Sequence, residues 1–524
     1  MAHSDFLPAP RPRLADLKSC EDWLARATLA DPRQACNALL SLLEEIEDAP
    51  PRHAAYLQIL ERLRKPVILA QQEHAKRFAG KPLPLGHSES AAFAQAVDLW
   101  TAAQRAYARL WRAALNGRHP ELKPSLALLG QRVLACTAEL IGACCFARRE
   151  IADDTWQTLH ETWATAESRG VTAAAVAEWR FESTPTAAYA AALLLQLACP
   201  HGFPPRELAW ARKWIDYWSR KVEFRGDGPA EGGYATDVAG HSEPLWTKPG
   251  TGPATLRFLD LSRVRRSMKK RLQKLDEGVE PRALGFGQDC TAQAASQLLK
   301  TLARAWFEAP AEREFPRRAA SSPAELAVGF EAIHAALGGR SAEADSGQRS
   351  YSYREAERIH TFQRAVEIAA RPEGRARALE TWETLAESAT DFHLRRKEPG
   401  ASLAHRQLMA LRPRGARQFI LCEVRWLTEG AGQAVTAGAR ALPGLAQAGT
   451  VRPAAADGRG VQPSAGALVL PVGPGLPPSL VLPVGWYQSG RELDLELGGD
   501  LKRIKLFGLL ERGFDFERVN FTAA

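Results

Sequence analysis

Three arginines crowd the segment Arg313-Glu314-Phe315-Pro316-Arg317-Arg318. A guanidinium can grip a phosphate, or the O6/N7 edge of a guanine, with two parallel N–H bonds, and it can stack on a base. A short run of this kind suits an anionic ligand held against a surface. No other residues compete with it as a centre of chemistry. The chain has no G-x-x-x-x-G-K-[ST], no G-x-G-x-x-G after a strand and no H-E-x-x-H. Gly240-His241-Ser242-Glu243-Pro244 lacks the second glycine of a nucleophile elbow. His160-Glu161 has no second histidine at metal-binding spacing, and the paired carboxylates Glu44 and Glu45 sit on a polar helix face. The expectation is a protein that is not an enzyme, with no cofactor and no metal site.

The elements that must position the arginines change character along the chain. Leu14 to about residue 310 reads as amphipathic helices. Asp31-Pro32 marks one start, with proline at the first helical position, where its missing N–H is not needed. Further helices are expected at about 89–115, 123–148, 151–168, 172–198, 205–220, 260–277 and 290–307. The helix over 262–275 places Val264, Met268, Leu272 and Leu275 on one stripe and covers the rest with Arg and Lys. That predicts a packed apolar face and a wet basic one. Residues 223–254, rich in Gly and Pro, read as a long loop.

Beyond Pro316 the period shortens. Residues 325–330 read as a first strand, 331–337 as a short helix, 338–350 as a loop and 351–370 as an inserted helix. From about 376 to 521 the pattern is that of strands. Arg491-Glu492-Leu493-Asp494-Leu495-Glu496-Leu497 alternates polar and apolar strictly, the signature of a half-buried strand. Residues 443–480, dense in Ala, Gly and Pro, read as an interruption. Leu-Pro-Val-Gly occurs at 470–473 and again at 482–485, which suggests similar strand ends.

The expected organisation is a disordered terminus at 1–12, a helical region at 13–222, the loop at 223–254, a helical segment at 255–310 and a β-barrel region with insertions at 311–524. The fold class is multidomain α+β, mainly helical first and antiparallel barrel second.

Composition excludes little else. With 45% apolar and 24% charged residues, this is ordinary globular protein. The net charge is +8, but 15 of the 68 basic residues are Lys, which leaves 53 Arg in a chain rich in Ala, Gly and Pro, a bias typical of GC-rich bacterial genomes. Nucleic acid is therefore not the expected partner. The eight cysteines form no C-x-x-C and read mostly as buried thiols of a reducing cytoplasm. No apolar run suits a signal peptide, and the apolar run from Tyr189 to Cys199, broken by Gln196, is too short to cross a membrane. No transmembrane segment is expected.

Residues Trp382 to Leu442 resemble a PilZ-like domain, a small barrel that binds cyclic di-GMP in many bacterial proteins. Arg313 to Arg318 resembles that family's R-x-x-x-R. Glu387-Ser388-Ala389-Thr390-Asp391-Phe392-His393-Leu394 takes the place of its [D/N]-x-S-x-x-G motif, and Gly438-Ala439-Arg440-Ala441-Leu442 resembles its later strand that begins with glycine. Within the second motif Ser388 matches, while Ala386 stands for Asp or Asn and Asp391 for Gly. The whole chain also resembles a set of large bacterial proteins with a helical body ahead of such a barrel, through 80–85, 256–260 and 284–290. The resemblance implies a ligand site of Arg313, Arg317, Arg318, Ser388 and Asp391 for cyclic di-GMP. It implies a cytoplasmic, non-enzymatic signalling adaptor whose helical body contacts a partner protein. The alternative is an interaction scaffold whose barrel no longer binds nucleotide, since Asp391 sets a negative charge beside a diphosphate. A third reading places an enzyme site near 223–254.

Overall fold

The computed structural model describes residues 14–178, 182–309, 318–338, 379–454, 464–471 and 477–523. The chain divides into two compact units, one of residues 1–81 and 85–312, the other of 82–84 and 313–524. The expected terminal disorder over 1–12, most of the loop over 338–350 and the inserted helix over 351–370 lie outside the described residues.

The first unit is built from α1 (Leu17–Arg26), α2 (Pro32–Asp48), α3 (His53–His74), α4 (His87–Leu115), α5 (Leu126–Ala147), α6 (Asp153–Ser168), α7 (Pro185–Leu197), α8 (Pro205–Trp218), α9 (Ser262–Asp276) and α10 (Ala292–Phe307). Asp31 caps α2, its Oδ1 accepting the Gln34 N–H at 2.8 Å, with Pro32 just inside the helix. Two apolar cores meet on α5. Leu129, Val133, Cys136 and Leu140 face the core made with α2, α3 and α4, while Leu134, Ala138, Ile141 and Cys145 face the core made with α6 to α10. A helix apolar on all sides belongs in the middle of such a stack. This explains why Pro120–Ala147 alone, among the described residues, is long and apolar enough to span a membrane: it is mostly buried within the unit.

Two expectations fail here. The helix predicted over 172–198 starts only at Pro185. Ahead of it lies a two-stranded ribbon, β1 (Val176–Ala177) with β2 (Glu182–Ser183). Glu178 draws this ribbon onto the core. Its carboxylate accepts from Arg64 (Nη2 to Oε1, 2.9 Å) and Arg132 (Nη1 to Oε1, 2.8 Å), and Arg132 also grips Glu61. Arg132 is only 3% exposed, so its charge requires these partners. Burial pushes the Glu61 carboxyl up, but the bond and charge of Arg132, with the Tyr107 hydroxyl and the Arg64 charge, together outweigh it and leave the pKa lowered. Residues 223–254, expected as a loop, carry most of a four-stranded sheet: β3 (Glu223–Arg225), β4 (Gly233–Asp237) and β5 (Leu245–Thr247), joined by β6 (Leu256–Asp260) in the order β3-β6-β4-β5.

The second unit begins with β7 (Arg318–Val328) and α11 (Phe330–Ala336). It continues through β8 (Glu380–Glu387), β9 (Asp391–Arg396), β10 (Leu408–Pro413), β11 (Ile420–Glu429) and β12 (Val435–Ala441). These strands close into a barrel in the ring order β7-β8-β9-β12-β11-β10. Phe392, Leu394, Val424, Leu427, Val435, Ala437 and Ala439 are buried, in the alternation a small barrel requires. Pro82–Pro84 belongs to this unit, where Leu83 and Leu403 exchange two backbone hydrogen bonds of 2.8 and 2.7 Å.

A second closed barrel follows, where a single barrel region was expected. It contains β13 (Gln447–Pro453), β14 (Ala465–Leu470), β15 (Ser479–Pro483), β16 (Glu492–Leu497), β17 (Asp500–Arg512) and β18 (Phe516–Ala523). The stretch 443–480 is thus no interruption but supplies β13, β14 and the start of β15. The ring order is β13-β14-β15-β18-β17-β16. Numbered from its own first strand, each barrel runs 1-2-3-6-5-4, so the two share one topology without a shared sequence motif. Leu470 of the first Leu-Pro-Val-Gly copy ends β14 and Leu482-Pro483 of the second ends β15, while Val472 and Gly473 lie outside the described residues. Helix α11 packs between the barrels: Ile333 shares a core with Leu408 and Leu421 of the first and Leu468 and Val481 of the second. His334 Nε2 lies 2.7 Å from the Gly449 carbonyl oxygen.

Candidate functional site

Ser388, Ala389 and Thr390 make the turn between β8 and β9. The Ser388 N–H donates to the Asp391 carbonyl at 2.8 Å, and the Asp391 N–H donates to Ser388 Oγ at 3.0 Å. A serine side chain that accepts a nearby backbone N–H is an ordinary way to lock a turn. The Asp391 carboxylate projects outward and receives Arg440 Nε at 2.9 Å from the neighbouring strand β12. The position where the family pattern has glycine therefore carries an ion pair.

The register of β7 against β8 sets Arg318 opposite Glu387, the residue before Ser388. The arginine run thus enters the barrel at the β8–β9 turn, as far as its last member goes. Arg313 and Arg317 lie outside the described residues. The ladder shifts register between Ala319 and Ser322, an irregularity of the kind that re-aims a strand end.

Sequence reasoning missed an aromatic step beside this turn. On the barrel's outer face His393, Gly438 and Trp426 stand side by side on β9, β12 and β11. Trp426 lies over Gly438 and meets His393 edge-on, with ring centroids 5.2 Å apart. A Cβ on Gly438 would sit 2.0 Å from Trp426 Nε1, so only glycine permits this arrangement. The available signal was the glycine that opens the β12 motif, which leaves room for a flat side chain from the next strand.

Further around the barrel, Glu423 is buried between Arg406 (Nε to Oε1, 3.0 Å) and Arg425 (Nη1 to Oε2, 2.7 Å). Burial pushes its carboxyl up, and the two guanidinium groups outweigh that and leave the pKa lowered. Arg406 also reaches Glu511 of the second barrel at 3.7 Å. Beside them Asp515 Oδ1 accepts the Leu408 N–H at 2.9 Å, and burial pushes this carboxyl up to about 6. The two barrels are joined by charged groups as well as by α11.

The basic helix α9 behaves as its pattern predicts. Val264, Met268 and Leu275 are buried and Leu272 is half-buried, while its Lys and Arg side chains, the half-buried Arg271 excepted, lie toward solvent. Arg271 covers the ring of Tyr217 at 4.4 Å, with Lys221 at 4.8 Å and Arg220 at 5.5 Å. Burial raises the phenol pKa, but Arg271 and Lys221 draw it down to about 8. Seven of the eight cysteines are buried or half-buried, and Cys199 is exposed.

Residues 18–230 match the family model described as the cyclic-di-GMP receptor FimW, N-terminal domain, and residues 450–524 match the FimW C-terminal beta-barrel domain. The second match coincides with the β13–β18 barrel. The first barrel, with the Arg318–Ser388–Asp391 corner, lies between the two matched segments. No curated protein matches the chain. By these two segments, which bracket the candidate site, the chain belongs to the FimW family.

Proposed function

We propose that the first barrel binds cyclic di-GMP at the corner where β7 enters beside the β8–β9 turn, and that the protein is a cytoplasmic, non-enzymatic signalling receptor whose helical unit engages a partner protein. The observation that supports the reading is the pairing of Arg318, the last arginine of the run, with Glu387, next to the turn holding Ser388 and Asp391. Both matched family segments flank this corner, and the N-terminal one is described by a cyclic-di-GMP receptor. Guanidinium groups suit both the phosphates and the guanine edges of such a ligand. The ligand would meet the Asp391–Arg440 pair on arrival. Separating that pair turns Arg440 into a further phosphate grip and leaves Asp391 as a repulsive neighbour, so modest affinity is expected.

One observation favours a second reading, a scaffold that has lost the nucleotide. Ser388 spends its hydroxyl on the turn, and Asp391 replaces the glycine. Isothermal titration of the full-length protein with cyclic di-GMP tests the two. Saturable binding of one dinucleotide, or a stacked pair, supports the receptor. No heat at millimolar ligand overturns it and leaves the scaffold.

A further inference from the structure

In the helical unit His53, His119 and Glu121 converge from separate parts of the chain. His53 is the first residue of α3, and His119 precedes the 3-10 turn Pro120–Ser125, which carries Glu121. One ligand atom from each of the three lies within 4.8 Å of the other two. His119 Nδ1 is 3.4 Å from Glu121 Oε1. That is about the edge of a tetrahedron whose centre lies roughly 2.0–2.1 Å from each ligand. The imidazole centroids are 3.9 Å apart, with the rings tilted by 39°. Two imidazolium ions would repel at that distance.

We infer that His53, His119 and Glu121 bind a divalent transition-metal ion, with Zn2+ the best fit and water completing the coordination. Two imidazoles with one carboxylate suit a borderline cation and not Ca2+ or Mg2+, which demand more oxygen ligands. The surroundings set the limit on affinity. The amino end of α3 is electropositive, and Arg109 lies nearby, although Glu47 neutralises it at 2.9 Å. Glu121 must therefore supply the negative charge, and its exposed side chain has room to close on the ion. Binding would clamp the start of α3 to the turn that follows α4.

The test is titration of metal-stripped, full-length protein with Zn2+, read by calorimetry and by the melting temperature with and without chelator. One Zn2+ per chain and a melting temperature raised by the metal are expected. His53→Ala combined with His119→Ala should abolish both effects, and Glu121→Gln should weaken binding by about tenfold or more, at least 1.4 kcal/mol. No binding, or equal binding by the native protein and the double variant, overturns the site. If the double variant does not fold, Glu121→Gln decides alone, and unchanged affinity overturns the site.

Discussion

Asp391 and Arg440 face each other across the β9–β12 ladder, with the carboxylate Oδ1 2.9 Å from the guanidinium Nε. Arg440 keeps more than half of its side chain exposed, so the pair contributes little to folding, about 1 kcal/mol or less. Its consequence is for ligand binding. Asp391→Gly removes the negative charge and releases Arg440 together, and cyclic di-GMP affinity should rise. Titration of both forms checks this, and weaker binding by the variant would show that the carboxylate is used for something else.

Arg317→Ala should weaken cyclic di-GMP binding by about tenfold to a hundredfold, because a charge-assisted bond to phosphate or guanine is worth roughly 1.5–3 kcal/mol. Equal affinity of native and variant proteins would remove Arg317 from the site.

Gly438→Ala should evict Trp426 from its seat against His393. The collision with Nε1 forces the indole aside, at about 1–3 kcal/mol. Tryptophan fluorescence and thermal melting report the change. An unaltered spectrum would mean that the strand shifts instead of the ring.

Asp515 gives a pH dependence of defined sign. Its carboxyl is raised to about 6, so the folded protein holds a proton that the unfolded chain releases. The stabilising effect of that proton is full below the ordinary carboxyl range, near pH 4, and is lost as the pH rises through about 6. Asp515→Asn keeps the acceptor for the Leu408 N–H and should flatten this slope, adding about 1–3 kcal/mol at neutral pH. Melting curves between pH 4.5 and 7.5 that run parallel for both proteins would refute it.

Tyr217 should ionise near pH 8, visible as tyrosinate absorption that Tyr217→Phe removes. Tyr56, Tyr107 and Tyr189 are pushed upward by burial and stay protonated. Because the folded pKa is lowered, the contribution of Arg271 and Lys221 to stability is full above the ordinary tyrosine value of about 10 and is lost as the pH falls through 8. Arg271→Ala should move the midpoint upward.

What could be read in advance depended on period. Val264, Met268, Leu272 and Leu275 recur at helical spacing, and Leu493 and Leu495 alternate with acids, so α9 and β16 were legible. The ribbon at β1 and β2 was not, because Ala-rich residues ahead of Thr184-Pro185 prolong a helical pattern that Glu178 interrupts by reaching Arg64 and Arg132. Strands of three residues such as β3 and β5 are too short to show any period. Ala465 and Ala467 line a barrel interior with small side chains while Gly466 faces His334, so this stretch resembled a linker. Strand content near the end of the chain was visible, but the points where ladders close depend on pairings such as Ser479 with Asn520, which no local pattern announces. At the candidate site the β8–β9 turn could be found by its motif, and the arginine run can be followed only to Arg318, opposite Glu387. Trp426 could not, since its place depends on a vacancy one strand away.

Strand β7 starts at Arg318 and leads at its other end into α11, joined by Gly329 at a φ of 90°. Eleven extended residues make it a rod of roughly 35 Å. One end lies beside the β8–β9 turn, and the other continues into α11, which is seated through Ile333 against the second barrel. If the proposed ligand binds beside Arg318, a pull there would run along this one strand toward α11 and the second barrel, with Gly329 as the swivel.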